Sequence, residues 1–205
     1  MLSPIDKVML GIITMISVVA CIPIEQAAAI SGNEISDLAK SGLDLLFGGD
    51  ASYLYSRGYN LLYEDGKYEE AITYFDKALA IDPNDIGSLL QKGIALSALG
   101  KHEEAITYFD KGLAINASYT PLLFNKGNAL ADLGKHEEAI SYYDKFLAIL
   151  PNSTYVIFNK ALSLEDLGRN EEAITYYDKV LAIEPNYTKA LDQKAALSNL
   201  TNSSS

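Results

Sequence analysis

The sequence predicts an all-α protein built from helix–turn–helix units stacked on one another, and three observations predict it. The first is a phrase that recurs. EEAITYFDK stands at Glu69–Lys77 and again at Glu103–Lys111, EEAISYYDK at Glu137–Lys145 and EEAITYYDK at Glu171–Lys179. The second is a fixed beat: Ala71, Ala105, Ala139 and Ala173 are each 34 residues apart, as are Phe75, Phe109, Tyr143 and Tyr177. A constant period of this length marks a repeat array. The third is the spacing inside each copy, where Ala71, Phe75 and Ala78 fall at i, i+4 and i+7 and share one face of a helix.

The N-terminal element precedes the array. Residues 8–22, VMLGIITMISVVACI, carry no charge, with Asp6 and Lys7 before them and Pro23 and Glu25 after. A spanning helix needs about 20 apolar residues, so this run suits the hydrophobic region of a secretory signal. Three fates remain open for residues 1–29. Val18-Val19-Ala20-Cys21 resembles a bacterial lipobox, which would make Cys21 the lipidated residue. Ala27-Ala28-Ala29 offers a peptidase site, and retention would leave a membrane anchor. The only membrane contact expected is through this segment. Residues 30–51 follow as a linker with some helical character, punctuated by Gly48-Gly49.

The units come next. Each reads as a helix A, a turn at Gly66, Gly100, Gly134 or Gly168, and a helix B that carries the phrase; Pro83, Pro151 and Pro185 close three of them. A Lys/Arg–Gly/Ala pair marks helix A at Arg57-Gly58, Lys92-Gly93, Lys126-Gly127 and Lys160-Ala161. The small residue lets the helices approach and the aromatic of helix B fills the space beside it. Thr73, Asp76 and Lys77 are expected on the wet side. The Glu pairs fall in the first turn of helix B, where negative charge complements the free N–H groups. Gly58 to Gly93 is 35 residues rather than 34, and the extra residue is expected in the turn near Tyr63–Asp65, leaving Gly58 at the close contact. Phe146 and Val180, at the Ala78 position, are expected to fit opposite Gly127 and Ala161. A last helix, with Leu191, Ala195 and Leu197 on its apolar side, is expected to cap the stack.

Charge and composition exclude several function classes. The net charge is −11, with acids spread along the chain, which disfavours nucleic acid as a partner because phosphate binding needs clustered Lys and Arg. One cysteine permits no internal disulfide. His102 and His136, the only histidines, occupy equivalent places in adjacent units, too far apart to share an ion and expected to be solvated. There is no phosphate-cradling loop, nucleophile elbow or HExxH, so no catalytic residue, cofactor or metal site is expected. Five N-x-S/T sequons, at Asn116, Asn152, Asn186, Asn199 and Asn202, make glycosylation an expectation and favour a place outside the cytoplasm, secreted or anchored at the envelope.

Thirty-four residues with a small residue in helix A, A-x3-F in helix B and a terminal proline resemble the tetratricopeptide repeat. The resemblance implies a right-handed solenoid with units at 52–85, 86–119, 120–153 and 154–187, a capping helix at 188–200 and a tail at 201–205. It also implies a groove for a peptide or protein on the helix A faces. By that register the groove positions are Tyr55, Leu90, Phe124 and Phe158, then Gln91, Asn125 and Asn159, then Tyr59, Ile94, Asn128 and Leu162. The lysines and arginines with which the family clamps C-terminal carboxylates are absent from those positions, so acidic tails are disfavoured. The resemblance therefore implies a non-catalytic interaction scaffold; the alternative is a cell-surface structural protein assembled by solenoid stacking or carbohydrate contact.

Overall fold

The computed structural model describes residues 42–43 and 49–203. The apolar run, Cys21 and most of the linker lie outside the described residues. Nine α-helices follow in order among the described residues: α1 (Ala51–Tyr63), α2 (Tyr68–Ile81), α3 (Ile86–Ala98), α4 (His102–Ile115), α5 (Thr120–Asp132), α6 (His136–Ile149), α7 (Thr154–Asp166), α8 (Asn170–Ile183) and α9 (Thr188–Ser203). Odd helices to α7 are the A helices, even ones the B helices. None of them is long and apolar enough to cross a membrane.

The two helix types start differently. Asp50 caps α1, its carboxylate accepting from the N–H groups of Ser52 and Tyr53, and Asp85 caps α3 through Ser88 N–H. In α5, Pro121 takes one of the first helical positions, where its missing N–H costs nothing. The B helices have no side-chain cap; each instead places a Glu pair in its first turn, as at Glu69 and Glu70 of α2. The A–B turn is closed by a glycine at φ of +63° to +74°, a conformation in which a side chain would be strained.

That turn locates the extra residue of the first unit. The Lys101 N–H donates to the Leu96 carbonyl, and the same bond recurs from Lys135 to Leu130 and from Arg169 to Leu164. In the first unit it runs from Lys67 to Leu61, one residue longer. α1 has the same 13 residues as α3, α5 and α7, so the surplus lies wholly in the connection Glu64–Lys67, and Gly58 keeps its register.

Packing follows from the small residues. A Cβ added at Gly58, Gly93 or Gly127 would stand 2.7, 2.3 or 2.6 Å from a ring carbon of Phe75, Phe109 or Tyr143. In these three units the ring of the B helix thus lies directly against the backbone of its own A helix, fully buried. Phe146 and Val180 pack toward the helix that follows. Phe146 meets Val156 of the next A helix and stands edge-on to Phe124 at 6.2 Å, while Val180 packs near Ile157 and Ala190. Each core segment joins an A helix, its B helix and the following A helix, as Leu96, Phe109 and Leu122 do, so the core runs unbroken along the stack.

Polar groups bridge the units as well: Thr73, Asp76 and Lys77 are exposed as expected, but Asp76 and its copies also hold a partner from the next unit. Lys92, Lys126 and Lys160, only 5–7% exposed, extend from their A helices to Asp76, Asp110 and Asp144 of the preceding B helices. Each ammonium also donates to the hydroxyl of Tyr108, Tyr142 or Tyr176 in its own unit, at 2.6–2.7 Å. Burial would lower the pKa of these lysines, but the aspartate and tyrosine bonds outweigh it and hold them above the ordinary value. The aspartate of the repeated phrase is an inter-unit fastening.

The cap differs from expectation in face and length. Ala190 and Leu197 of α9 are buried against α7 and α8, while Leu191 and Ala195 are exposed, and the helix runs to Ser203. Asn116, Asn152 and Asn186 sit exposed between helices and Asn199 is exposed on α9; the side chain of Asn202 lies outside the described residues.

Candidate functional site

The face available to a ligand is set by what packing leaves over on the A helices. The positions three residues before the small residue are largely consumed by packing. Leu90 and Phe158 are 6% and 7% exposed. Phe158 lies between Tyr177 and Tyr187, at 5.6 and 5.2 Å, and Leu90 packs in the segment that holds Phe109. Tyr55 and Phe124 are half-buried beside Phe75 and Phe146. Two of the four rungs of the expected aromatic ladder are therefore core, a correction that follows from the close approach at the glycines: helices drawn so near bury the next turn as well.

The amides are partly spoken for. Gln91 is buried and accepts from the Tyr63 hydroxyl at 2.9 Å. Asn125 donates to the carbonyl of Pro121 one turn back, at 2.8 Å. Asn128 and Asn159 meet across units, the Asn159 amide donating to Asn128 Oδ1 at 2.9 Å; the buried Tyr143 hydroxyl donates to that same oxygen, also at 2.9 Å. Burial, reinforced by the nearby Asp132 carboxylate, pushes the Tyr143 phenol far above its ordinary pKa, so it stays neutral. Tyr177 behaves likewise, through burial and its 2.7 Å bond to Glu165.

The positions one residue after the small residue remain accessible. Tyr59 is 41% exposed and Ile94, Asn128 and Leu162 are half-buried. One turn further along the same face come Tyr63, Asp132 and Asp166, which sequence reasoning missed although i, i+4 spacing from Tyr59, Asn128 and Leu162 leads to them. The Tyr59 and Tyr63 rings meet at 4.5 Å with their planes tilted by 43°, extending the stripe begun by Tyr55. Between the third and fourth units the face opens into a recess of about 350 Å³, bordered by Asn128, Asp132, Tyr143, Asn159, Ser163 and Asp166.

The histidines are not solvated as expected. Each is about four-fifths buried at the start of its B helix, with Nδ1 3.6 Å from Asp132 (His102) or Asp166 (His136) of the next unit. They are held apart by the repeat, and among the described residues no group of three His, Cys, Asp or Glu is placed to hold a metal ion.

Comparison with known proteins agrees with this architecture. Tetratricopeptide-repeat profiles match residues 62–125, 121–153 and 154–187. No curated protein sequence matches the chain significantly. Among solved structures, YrrB, described as a TPR protein with an unusual peptide-binding site, is 23% identical with a TM-score of 0.69, covering 94% of this chain and 92% of its own. A crystal structure of MamA is 21% identical with a TM-score of 0.65, covering 68% and 81%. MamA from Desulfovibrio magneticus RS-1, from residue 41 to its end, is 23% identical with a TM-score of 0.63, covering 75% and 97%. These likenesses show the fold. With the glycine-on-ring contact repeated in three units and profiles spanning 62–187, the chain belongs to the tetratricopeptide-repeat family.

Proposed function

We propose that the protein is a non-catalytic scaffold that binds an extended segment of a protein partner along its A helices, outside the cytoplasm. The observation that carries this reading is the continuous face from Tyr59 and Tyr63, 41% and 53% exposed, to the polar recess between the third and fourth units. Exposed adjacent aromatics supply apolar contact area at low entropic cost, and the amides beyond them can pair with peptide backbone. That YrrB is described as having a peptide-binding site supports the choice of a peptide. The place outside the cytoplasm is supported by the apolar run of residues 8–22 and by the exposed sequons at Asn116, Asn152, Asn186 and Asn199.

The test is selection of a random decapeptide library on the full chain. Peptides enriched over the starting pool should bind the Tyr59→Ala/Tyr63→Ala variant at least about tenfold more weakly while its helicity and melting stay unchanged. No enrichment, or equal binding by the variant, rejects the reading. Mass measurement of the N-terminus in fractionated native protein tests the location: a lipidated Cys21, cleavage near Ala29 or membrane retention supports it, and an intact cytosolic chain overturns it.

A further inference from the structure

The geometry points to a lysine or arginine side chain of the partner as the occupant of the recess between the third and fourth units. This rests on the peptide-binding reading above and names the chemistry of what is bound. The argument begins with hydrogen-bond capacity. Asn128 Oδ1 already accepts from both Tyr143 and Asn159, so the amide carbonyl facing the recess is filled. What stays open are the carboxylates of Asp132 and Asp166, whose side chains are 57% and 58% exposed. Beside them Ser163, only 2% exposed, borders the recess with no side-chain hydrogen bond among the described contacts. The recess thus presents two open carboxylates as its only charged groups, beside a hydroxyl that can accept as well as donate.

The second step is charge. Among the described residues neither aspartate pairs with a lysine or arginine; the nearest basic groups are the Nδ1 atoms of His102 and His136, each at 3.6 Å. The basic side chains of these same A helices, Lys126 and Lys160, are committed elsewhere, to Asp110 and Asp144. The buried Tyr143 phenol beside Asp132 adds no countercharge. Two carboxylates with no lysine or arginine partner repel an acidic segment and favour a guanidinium or ammonium, which brings three to five donors at once. A hard divalent ion would want six or more oxygens, which two carboxylates do not approach.

The third step is position. The places of Asp132 and Asp166 are held by Tyr63 in the first unit and Ala98 in the second, so at this position the carboxylates belong to the third and fourth units and the exposed tyrosine to the first. Neighbouring A helices touch, as the Asn159–Asn128 bond shows, and lie about 8–10 Å apart. Tyr59 and the recess are then separated by roughly 20–25 Å, or about six to eight extended residues. The expected ligand has an apolar or aromatic residue at one end and a basic one six to eight positions away.

The decapeptide selection tests this when run in parallel on the full chain and on an Asp132→Asn/Asp166→Asn variant. The expected result is enrichment of Lys or Arg among peptides that bind the natural chain. The resynthesised peptides should bind at least tenfold more weakly to the variant and lose affinity steeply as salt rises. The two substitutions are isosteric and exposed, and an unchanged melting temperature confirms the fold. Enriched peptides that lack basic residues, or that bind the variant equally well, overturn the inference and leave the groove reading standing. No enriched peptide at all overturns both. Calorimetric binding of calcium that the double variant abolishes would put a metal ion in the recess and also overturn it.

Discussion

Lys160 and Asp144 belong to different units, yet Nζ lies 2.5 Å from Oδ1, with the lysine buried and the aspartate more than half exposed. That imbalance makes the two halves of the pair unequal. Asp144→Ala leaves a buried ammonium with only the Tyr176 hydroxyl, at an expected cost of about 2 kcal/mol or more. Lys160→Met keeps the apolar stem packed and leaves the aspartate in water, at an expected cost below about 1 kcal/mol. Urea unfolding of both variants checks the order; a larger loss for the lysine variant contradicts the burial argument.

The alkaline limb of stability should be unusually steep. Lys92, Lys126 and Lys160 hold their protons more tightly folded than unfolded, so their contribution is complete below the unfolded value near 10.5 and is lost as pH rises through the folded one. Tyr143 and Tyr177 act in the same direction, since the unfolded chain releases phenolic protons from about pH 10 while the buried hydroxyls keep theirs. Thermal melts between pH 8 and 11.5 should show little change to about pH 10 and a falling midpoint above it. Tyr177→Phe should flatten the fall; an equal slope in the variant would exclude the phenol as a cause.

Gly93 carries the ring of Phe109 on its backbone, where an added Cβ would lie 2.3 Å from Cε1. The fourth unit has Ala161 at this position over Tyr177, so a single carbon can be accommodated when the ring shifts. A branched side chain has no such remedy. Gly93→Val should cost about 2–3 kcal/mol, with Gly93→Ala clearly milder. Chemical denaturation reads both, and equal stability of the valine variant would mean the ring does not rest on this backbone.

Deleting Asp65 restores the three-residue connection of the other units without moving Gly58 or Ala71 in their helices. The loss should stay below about 1 kcal/mol, whereas deletion of Asn60 within α1 shifts every later side chain of that helix by a third of a turn and should unfold the first unit. Circular dichroism melts of the two deletions make the comparison.

The repeat period, the turn glycines and the Ala and Phe positions were legible in the sequence because packing repeats them without exception, and so was the place of the surplus residue. The groove was only half legible. Periodicity assigns Leu90 and Phe158 to the right face of the helix but cannot say that close helix approach submerges that edge. The lysine bonds of Asp76 and its copies were hidden for a different reason. On its own helix each looks solvated; its lysine partner comes from the next unit, and helical spacing describes one helix at a time. Asp132 and Asp166 were within reach of the i, i+4 rule and went unnoticed because they occur in only two units.

Four fastenings, Asp76–Lys92, Asp110–Lys126, Asp144–Lys160 and Asp178–Lys194, are chemically the same bond made between a B helix and the helix that follows it. The polar part of each boundary is therefore the same, while its apolar part is matched unit by unit, Gly112 to Leu122 and Phe146 to Val156. Excising residues 86–119 would bring Asp76 to face Lys126 and regenerate that bond, but it would also set Ala78 where Gly112 now meets Leu122, at a point where an added Cβ stands 2.5 Å from a leucine methyl. A 34-residue cassette can therefore be gained or lost with its polar fastening intact where the apolar partners match in size. Because Asp132 and Asp166 travel with the third and fourth cassettes, the chemistry of the recess can move or multiply along the array without any change to these fastenings.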